Sequence, residues 1–347
     1  MSRAYLDWNA TAPLRPEARA AMQAAMDLLG NPSSVHAEGR AARGLIERAR
    51  AQLAEAFGAD SAEIVFTSGA TEAAALALAG RGLRAAAVEH DCVQAWTRVD
   101  LGCSPDGIVT PEDPAHTALQ GANGETGVVQ ALPEGLALAD CAQLFGKLPF
   151  GFDWSGVQMA LLSAHKIGGP AGIGALVLRP GQEVEARQQG GGQEMGRRSG
   201  TENLIGIAGF GAAAAAAAAE LRAGRHEEVA ALRDAFEERL LDAVPEARII
   251  GRTAPRLPNT SCIAMPGWKG ETQVMQMDLA GFAVSAGAAC SSGKLRPSRV
   301  LLAMGHDRTA AASAIRVSIG AATARADLMG FADAWARAWN RKKTQAA

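Results

Sequence analysis

Lys166 is the residue through which the chemistry of this sequence is best approached. It closes the run LLSAHKIGGPAGIG, where a strand-like apolar segment gives way to a glycine-rich turn. The other five lysines stand elsewhere: Lys342 and Lys343 in a polar tail, Lys269 and Lys294 near loops rich in glycine or tryptophan, Lys147 in a Gly-Lys-Leu-Pro turn. A lysine at a strand end faces the crevice in which α/β proteins hold their ligands. Beside Ser163 and His165 its ammonium form is disfavoured, and the neutral amine can attack a carbonyl carbon to form a Schiff base. The plainer reading is a surface lysine at a strand exit, which the density of glycines makes less natural.

Three further features point to the same crevice. In EIVFTSGATE a buried strand turns into a helix, and a helix N-terminus offers free N–H groups and partial positive charge to an anion. Ala70 and Thr71 would donate backbone N–H groups to a phosphate there, with the Thr71 hydroxyl beside them. An ordinary cap with Glu72 in the first turn is the competing reading. Asp140 ends LALAD and could pair with a pyridine nitrogen, because a protonated ring is the better electron sink; Gln143, three residues on, could bond a ring oxygen. His90 ends AAAVEH, and its flat ring could stack on a cofactor. Alone, Asp140 reads as a helix cap and His90 as a structural histidine. Amine, acid, flat ring and anion turn at four strand ends together describe a site for pyridoxal phosphate (PLP).

Two residues would act on a substrate. Cys290 lies in AVSAGAACSSGKLRPSRV, a stretch of small residues unlike the usual buried cysteine setting, with Lys294 and Arg296 able to favour its thiolate. Arg316 stands inside the apolar run AIRVSIG, costly for a guanidinium unless it meets an anion. A substrate carboxylate fits, and so does a structural ion pair.

The elements that must position these residues follow from the hydrophobic pattern. Residues 16–57 are helical in period, broken at Gly30-Asn31-Pro32. The short apolar runs 63–67, 85–89, 136–140, 159–164 and 173–178, set among helices, predict a mainly parallel sheet covered on both faces. A long helical stretch runs from Gly211 to about Leu241, and an α+β rhythm follows Pro245. The expected organisation is an N-terminal segment 1–15 associated with the smaller unit, a large cofactor domain 16–245 and a smaller domain 246–347. At 347 residues the chain is comfortable for two units. A formal net charge of −2 with mixed signs argues against a nucleic-acid groove or a membrane-binding surface. No signal-peptide pattern or long run of large apolar residues is present, and the scattered cysteines lack CxxC pairs, so a reducing cytoplasm without a metal cluster is expected.

Taken together, YLDWNATAPL, GNPSSVH, SGATE, VEH, NGETGVVQ, DCAQ, SAHKIGGPAGIGAL, GGGQEMGRRSGTEN, SAGAACSS and AIRVSIG resemble, in order and nearly end to end, the cysteine desulfurases of the NifS/IscS type. These belong to the class-V aminotransferase branch of fold-type I PLP enzymes. The resemblance implies a seven-stranded-type sheet in the large domain and a homodimer. It implies that Lys166 holds the cofactor, His90 stacks on it, Asp140 pairs with its nitrogen and Gln143 contacts its phenolic oxygen. Ala70, Thr71, Ser163, His165 and, from a partner subunit, Thr201 would bind the phosphate. Arg316 would hold the substrate carboxylate, helped by Asn31, which reads equally well as a plain turn residue before Pro32. Cys290 would take sulfur from L-cysteine, leaving L-alanine and a persulfide that passes to an acceptor protein in iron–sulfur or thio-cofactor assembly.

The sequence also departs from that pattern. Gly124 stands where the family has asparagine, so the cofactor contact would be lost or taken by Asn123. The stretch 129–136 is too short for a crossover helix, and 92–119 is pared down. Another class-V activity (selenocysteine lyase, cysteine-sulfoxide lyase or aminotransferase) needs Lys166 but not Cys290, and a non-catalytic assembly subunit needs neither.

Overall fold

The computed structural model describes residues 3–287 and 297–346, so Cys290, Lys294 and Arg296 lie outside the described residues. The chain opens with β1 (Ala4–Tyr5), α1 (Pro16–Met26) and α2 (Ala37–Phe57). Next come β2 (Glu63–Thr67), α3 (Ala70–Leu78), β3 (Arg84–Ala86), α4 (Asp91–Gln94) and β4 (Arg98–Leu101). Strands β5 (Ala118–Gln120) and β6 (Leu138–Asp140), α5 (Phe152–Ser155), β7 (Met159–Ser163) and β8 (Gly174–Leu178) follow. Helices α6 (Leu204–Arg222) and α7 (Arg225–Ala243) lead to β9 (Arg248–Ile250), β10 (Thr260–Ala264) and α8 (Gly270–Leu279). The last elements are β11 (Phe282–Ala283), β12 (Ser285–Ala286), α9 (Arg299–Ala303), α10 (Arg308–Ala311), β13 (Ala314–Ser318) and α11 (Arg325–Ala346).

The first sheet has the order β2-β8-β7-β6-β5, and the pair β3-β4 continues it through a single parallel bridge between Arg84 and Thr117. Of these seven strands only β8 is reversed, antiparallel to both neighbours. The mainly parallel arrangement read from the apolar runs is therefore present. Every residue of β5, β6, β7 and β8 is buried, as in a sheet covered on both faces. The link from β5 to β6 contains no helix. Instead the chain doubles back, pairing Ala122 with Val129, and Val128 bridges to Arg256 beyond α7. That docked excursion replaces the crossover helix parallel neighbours ordinarily use.

Helix α2 buries Ala42, Ile46, Ala49, Leu53 and Phe57, one stripe at helical spacing, and ends on Gly58 at φ 60°. Phe57 meets the rings of Phe145, Phe150 and Phe152 at 5.1–5.8 Å between centroids. Helix α6 is long and apolar enough to cross a membrane by length and composition alone, but here it packs on α1 and α2. Its small residues allow close approach: a Cβ on Gly211 would lie 2.8 Å from the Ala49 Cα.

A second core gathers Trp268 and Trp335 around the sheet β12-β13-β10-β9, with Trp339 packed against it. The N-terminal segment joins this side, since β1 pairs with β11 and Asp7 bridges to Ser318. Helix α7 contributes Val229, Phe236 and Leu240 to the same core. The long helical stretch is thus two helices broken at Gly224 (φ 73°).

Candidate active site

Lys166 follows β7 in a single helical turn, with the amine directed at the N-terminal segment. Its Nζ donates to the carbonyls of Asn9 (2.8 Å) and Ala10 (3.0 Å). Burial, with the nearby Arg316 guanidinium, lowers its pKa to about 8, against the opposing pull of Asp140 and Asp7. A neutral amine is therefore accessible near neutral pH, as Schiff-base chemistry requires.

Asp140 ends β6 fully enclosed, accepting the Ala142 N–H at 2.9 Å. Burial raises its pKa, while that bond, His90 and Lys166 oppose the rise. A buried carboxylate of this kind gains most from a cationic partner such as a pyridinium. His90 caps α4: its Nδ1 accepts the Cys92 N–H at 3.2 Å and lies 3.0 Å from the Cys92 Sγ. Nδ1 is thus the acceptor, and the ring proton sits on Nε2. Glu89 lies beneath, enclosed, its carboxyl accepting the Gln120 N–H at 3.0 Å and its pKa pushed well up by burial.

Strand β2 passes through Ser68 and Gly69 directly into helix α3. A Cβ on Gly174, the first residue of β8, would fall 2.7 Å from the Gly69 Cα, so only glycine lets the strand pass this close. Glu72 bonds the Ser68 N–H (2.7 Å) and the Arg198 guanidinium (2.8 Å), which outweigh burial and keep it ionised. Ala70 and Thr71 head α3, with Thr71 reaching the Cys92 thiol. Ser163 is the buried last residue of β7. Burial, with Lys166 and Lys147 nearby, lowers the His165 pKa to about 4, and its Nδ1 pairs with the Thr11 hydroxyl at 3.0 Å.

Arg316 bonds the Gly124 carbonyl at 3.0 Å and Asp7 at 2.7 Å, while its buried Nε has no partner among the described residues. The strand arginine therefore has both a structural ion pair and an uncommitted N–H for an anion. Gln143 donates to the Asn9 carbonyl at 3.0 Å and accepts from Lys147.

Other expected residues are placed differently. Asn123, expected at the cofactor, is spent on its own loop: Oδ1 accepts from the Glu125 and Thr126 N–H groups, and Nδ2 donates to Val88 and Gln120. Asn31 is exposed, its Oδ1 accepting the Ser33 N–H at 2.9 Å, which makes it a turn residue here. Thr201 is exposed ahead of α6 and bonds to no other candidate among the described residues. Conversely, Asp7, Asn9, Thr11 and Lys147 belong to the site although only their motifs were visible. For Lys147 a signal existed, since its four-residue spacing from Gln143 puts both on one side of a helical turn.

Among the described cysteines none is poised as a thiolate. Burial raises Cys92 to about 12 and lifts Cys103, Cys141 and Cys262 above the ordinary thiol value.

The lowered amine, the enclosed carboxylate, the capping histidine and the helix-headed turn fit pyridoxal phosphate, and the sheet that carries them is that of the fold-type I PLP enzymes. The aminotransferase class-V profile matches residues 4–95 and 110–331, its gap falling in the pared-down stretch. The chain is 41% identical to a cysteine desulfurase of Cereibacter sphaeroides, over 94% of this chain and 93% of that protein. It is 35% identical to the cysteine desulfurase IscS of Dictyoglomus turgidum, over 93% and 91%. The solved NifS-like protein of Rickettsia africae superposes with a TM-score of 0.87 at 30% identity, covering 97% of this chain and 99% of that one. The chain belongs to the class-V aminotransferase family, in its cysteine desulfurase group of PLP-dependent enzymes.

Proposed function

We propose that this chain desulfurates L-cysteine to L-alanine with Lys166, His90 and Cys290 as the working residues. The observation that carries the reading is Lys166 itself, an amine lowered to about 8 between Asp140 and Arg316. When bound, pyridoxal phosphate would supply an electron sink that holds the pair left at the substrate Cα and stabilises the pair left on Cβ when the C–S bond breaks. Ala70, Thr71, Ser163 and His165 would hold its phosphate, Asp140 its ring nitrogen and Gln143 its phenolic oxygen. Arg316 receives the substrate carboxylate through its uncommitted N–H. Lys166, displaced by the substrate amine, removes the Cα proton and later returns one to carbon. His90, with its proton on Nε2, exchanges protons with the substrate thiol. The Cys290 thiolate attacks the substrate sulfur: the S–S bond forms, the C–S bond breaks with its electron pair left on carbon, and protonation there gives alanine.

The high thiol pKa of the four described cysteines supports Cys290 as the nucleophile by elimination. The same reading assigns residues 1–15 and 246–347 to the smaller unit that brings Arg316 and Cys290 to the cofactor. Thr201 would serve the partner's phosphate in a homodimer, and the persulfide would pass to a cytoplasmic acceptor protein in iron–sulfur or thio-cofactor assembly. The test is mass spectrometry after exposure to L-cysteine. A gain of one sulfur on Cys290, with alanine release lost in Cys290→Ala, is expected. Undiminished alanine release by Cys290→Ala under reducing conditions would overturn the persulfide route and favour another class-V activity.

A further inference from the structure

Lys147 is a part-buried amine with no carboxylate partner among the described residues, an arrangement that ordinarily costs stability. Its Nζ donates to two amide oxygens instead, Asn9 Oδ1 at 2.8 Å and Gln143 Oε1. The charges nearest it are positive, those of Lys166 and Arg316, and burial first and these two second hold its pKa well below the usual lysine value. His165, Asp140 and Asp7 also face this network, through Lys166.

The chemistry of the partners fixes the Gln143 amide. With the amide nitrogen taken by a carbonyl, the atom facing Lys147 is the amide oxygen, to which the amine donates. The Asn9 carbonyl only accepts, so the atom facing it must be the NH2, at 3.0 Å. That carbonyl also receives the Lys166 amine at 2.8 Å. The N–H edge of Gln143 is therefore turned to the Lys166 side, with one proton committed to Asn9 and one free. Position 124 leaves this edge open: even a Cβ there would stand 3.2 Å from the Gln143 Nε2.

We propose that Lys147 is a positioning residue of the cofactor site, locking the Gln143 amide with its N–H edge toward the oxygen that pyridoxal phosphate presents beside Lys166. Without Lys147 the amide keeps only the Asn9 carbonyl to hold it and swings from this orientation, so its free N–H no longer meets the phenolate. A phenolate that loses its donor is a stronger base and raises the proton affinity of the nitrogen joined to it. The inference rests on Lys166 carrying the cofactor, and the experiment separates the two.

The visible absorption band of the cofactor-loaded protein is titrated with pH in the unaltered chain, Lys147→Met, Gln143→Leu and the double variant. Lys147→Met is expected to raise the midpoint by about one pH unit, a tenfold change in proton affinity. Gln143→Leu should raise it similarly, and the double variant no further, because one residue acts through the other. A folded Lys147→Met with an unmoved midpoint, or shifts that add in the double variant, would overturn the inference. Should Lys147→Met not fold, an unmoved midpoint in Gln143→Leu does the same. Absence of any visible band in the unaltered chain would instead sink the Lys166 assignment.

Discussion

A lysine with its pKa near 8 changes its reactivity over a range an ordinary lysine does not. Lys166 is displaced downward, so its neutral fraction rises through pH 8 and is nearly complete by pH 9. A solvent lysine continues to gain amine up to about pH 10.4. The rate at which the cofactor-free protein captures pyridoxal phosphate, followed by the growth of the visible band, should therefore climb between pH 7 and 9 and then level. A rate still rising tenfold per unit between pH 9 and 10 would show that burial does not lower the amine. Lys166 was legible in the sequence because a strand end and a glycine-rich turn mark it locally. Lys147 was legible only through its spacing from Gln143, because its other partner, Asn9, is 138 residues away and no local pattern carries that contact. Asn123 misled for the opposite reason: its neighbourhood in sequence is the site, but its side chain serves the loop itself.

Elements with a strong apolar period were read closely, β2, β7 and β8 to within a residue of their bounds. Strand β4, mostly exposed, had no apolar run to announce it, and the run 85–89 ends early because residues 87–89 turn toward His90. The division into α6 and α7 was hidden by a continuous helical pattern, since the break depends on Gly224 adopting a left-handed conformation. Helices α6 and α2 offer two glycine substitutions of opposite sign. Gly211→Leu forces a side chain into the Ala49 backbone and should cost about 3 kcal/mol, read as a lower denaturant midpoint. Gly44→Ala, on α2, meets only the movable end of Arg48 at 3.3 Å and should add about 0.5–1 kcal/mol. A destabilised Gly44→Ala would mean that this face is packed more tightly than the structure shows.

At the scale of the molecule, Asn9 ties both cores to the cofactor crevice. Its Nδ2 donates to Gly124 (3.1 Å) and Thr260 (2.8 Å), and its Oδ1 accepts from Lys147 (2.8 Å) and Asn259 (3.0 Å). Asn9→Ala orphans several of these enclosed groups and should lower unfolding free energy by about 2–4 kcal/mol. A change under about 0.5 kcal/mol in chemical denaturation would show that water replaces the contacts. The two carbonyl bonds of Lys166 have a consequence of their own. An ammonium has three protons to give, but a nitrogen committed to carbon keeps one at most. Loading the cofactor therefore withdraws at least one clasp from residues 9 and 10, so the empty protein grips its own N-terminal strap more firmly than the loaded one. Binding and unclasping are then two sides of one equilibrium, and the strap acts as a competitor that the cofactor must outbid.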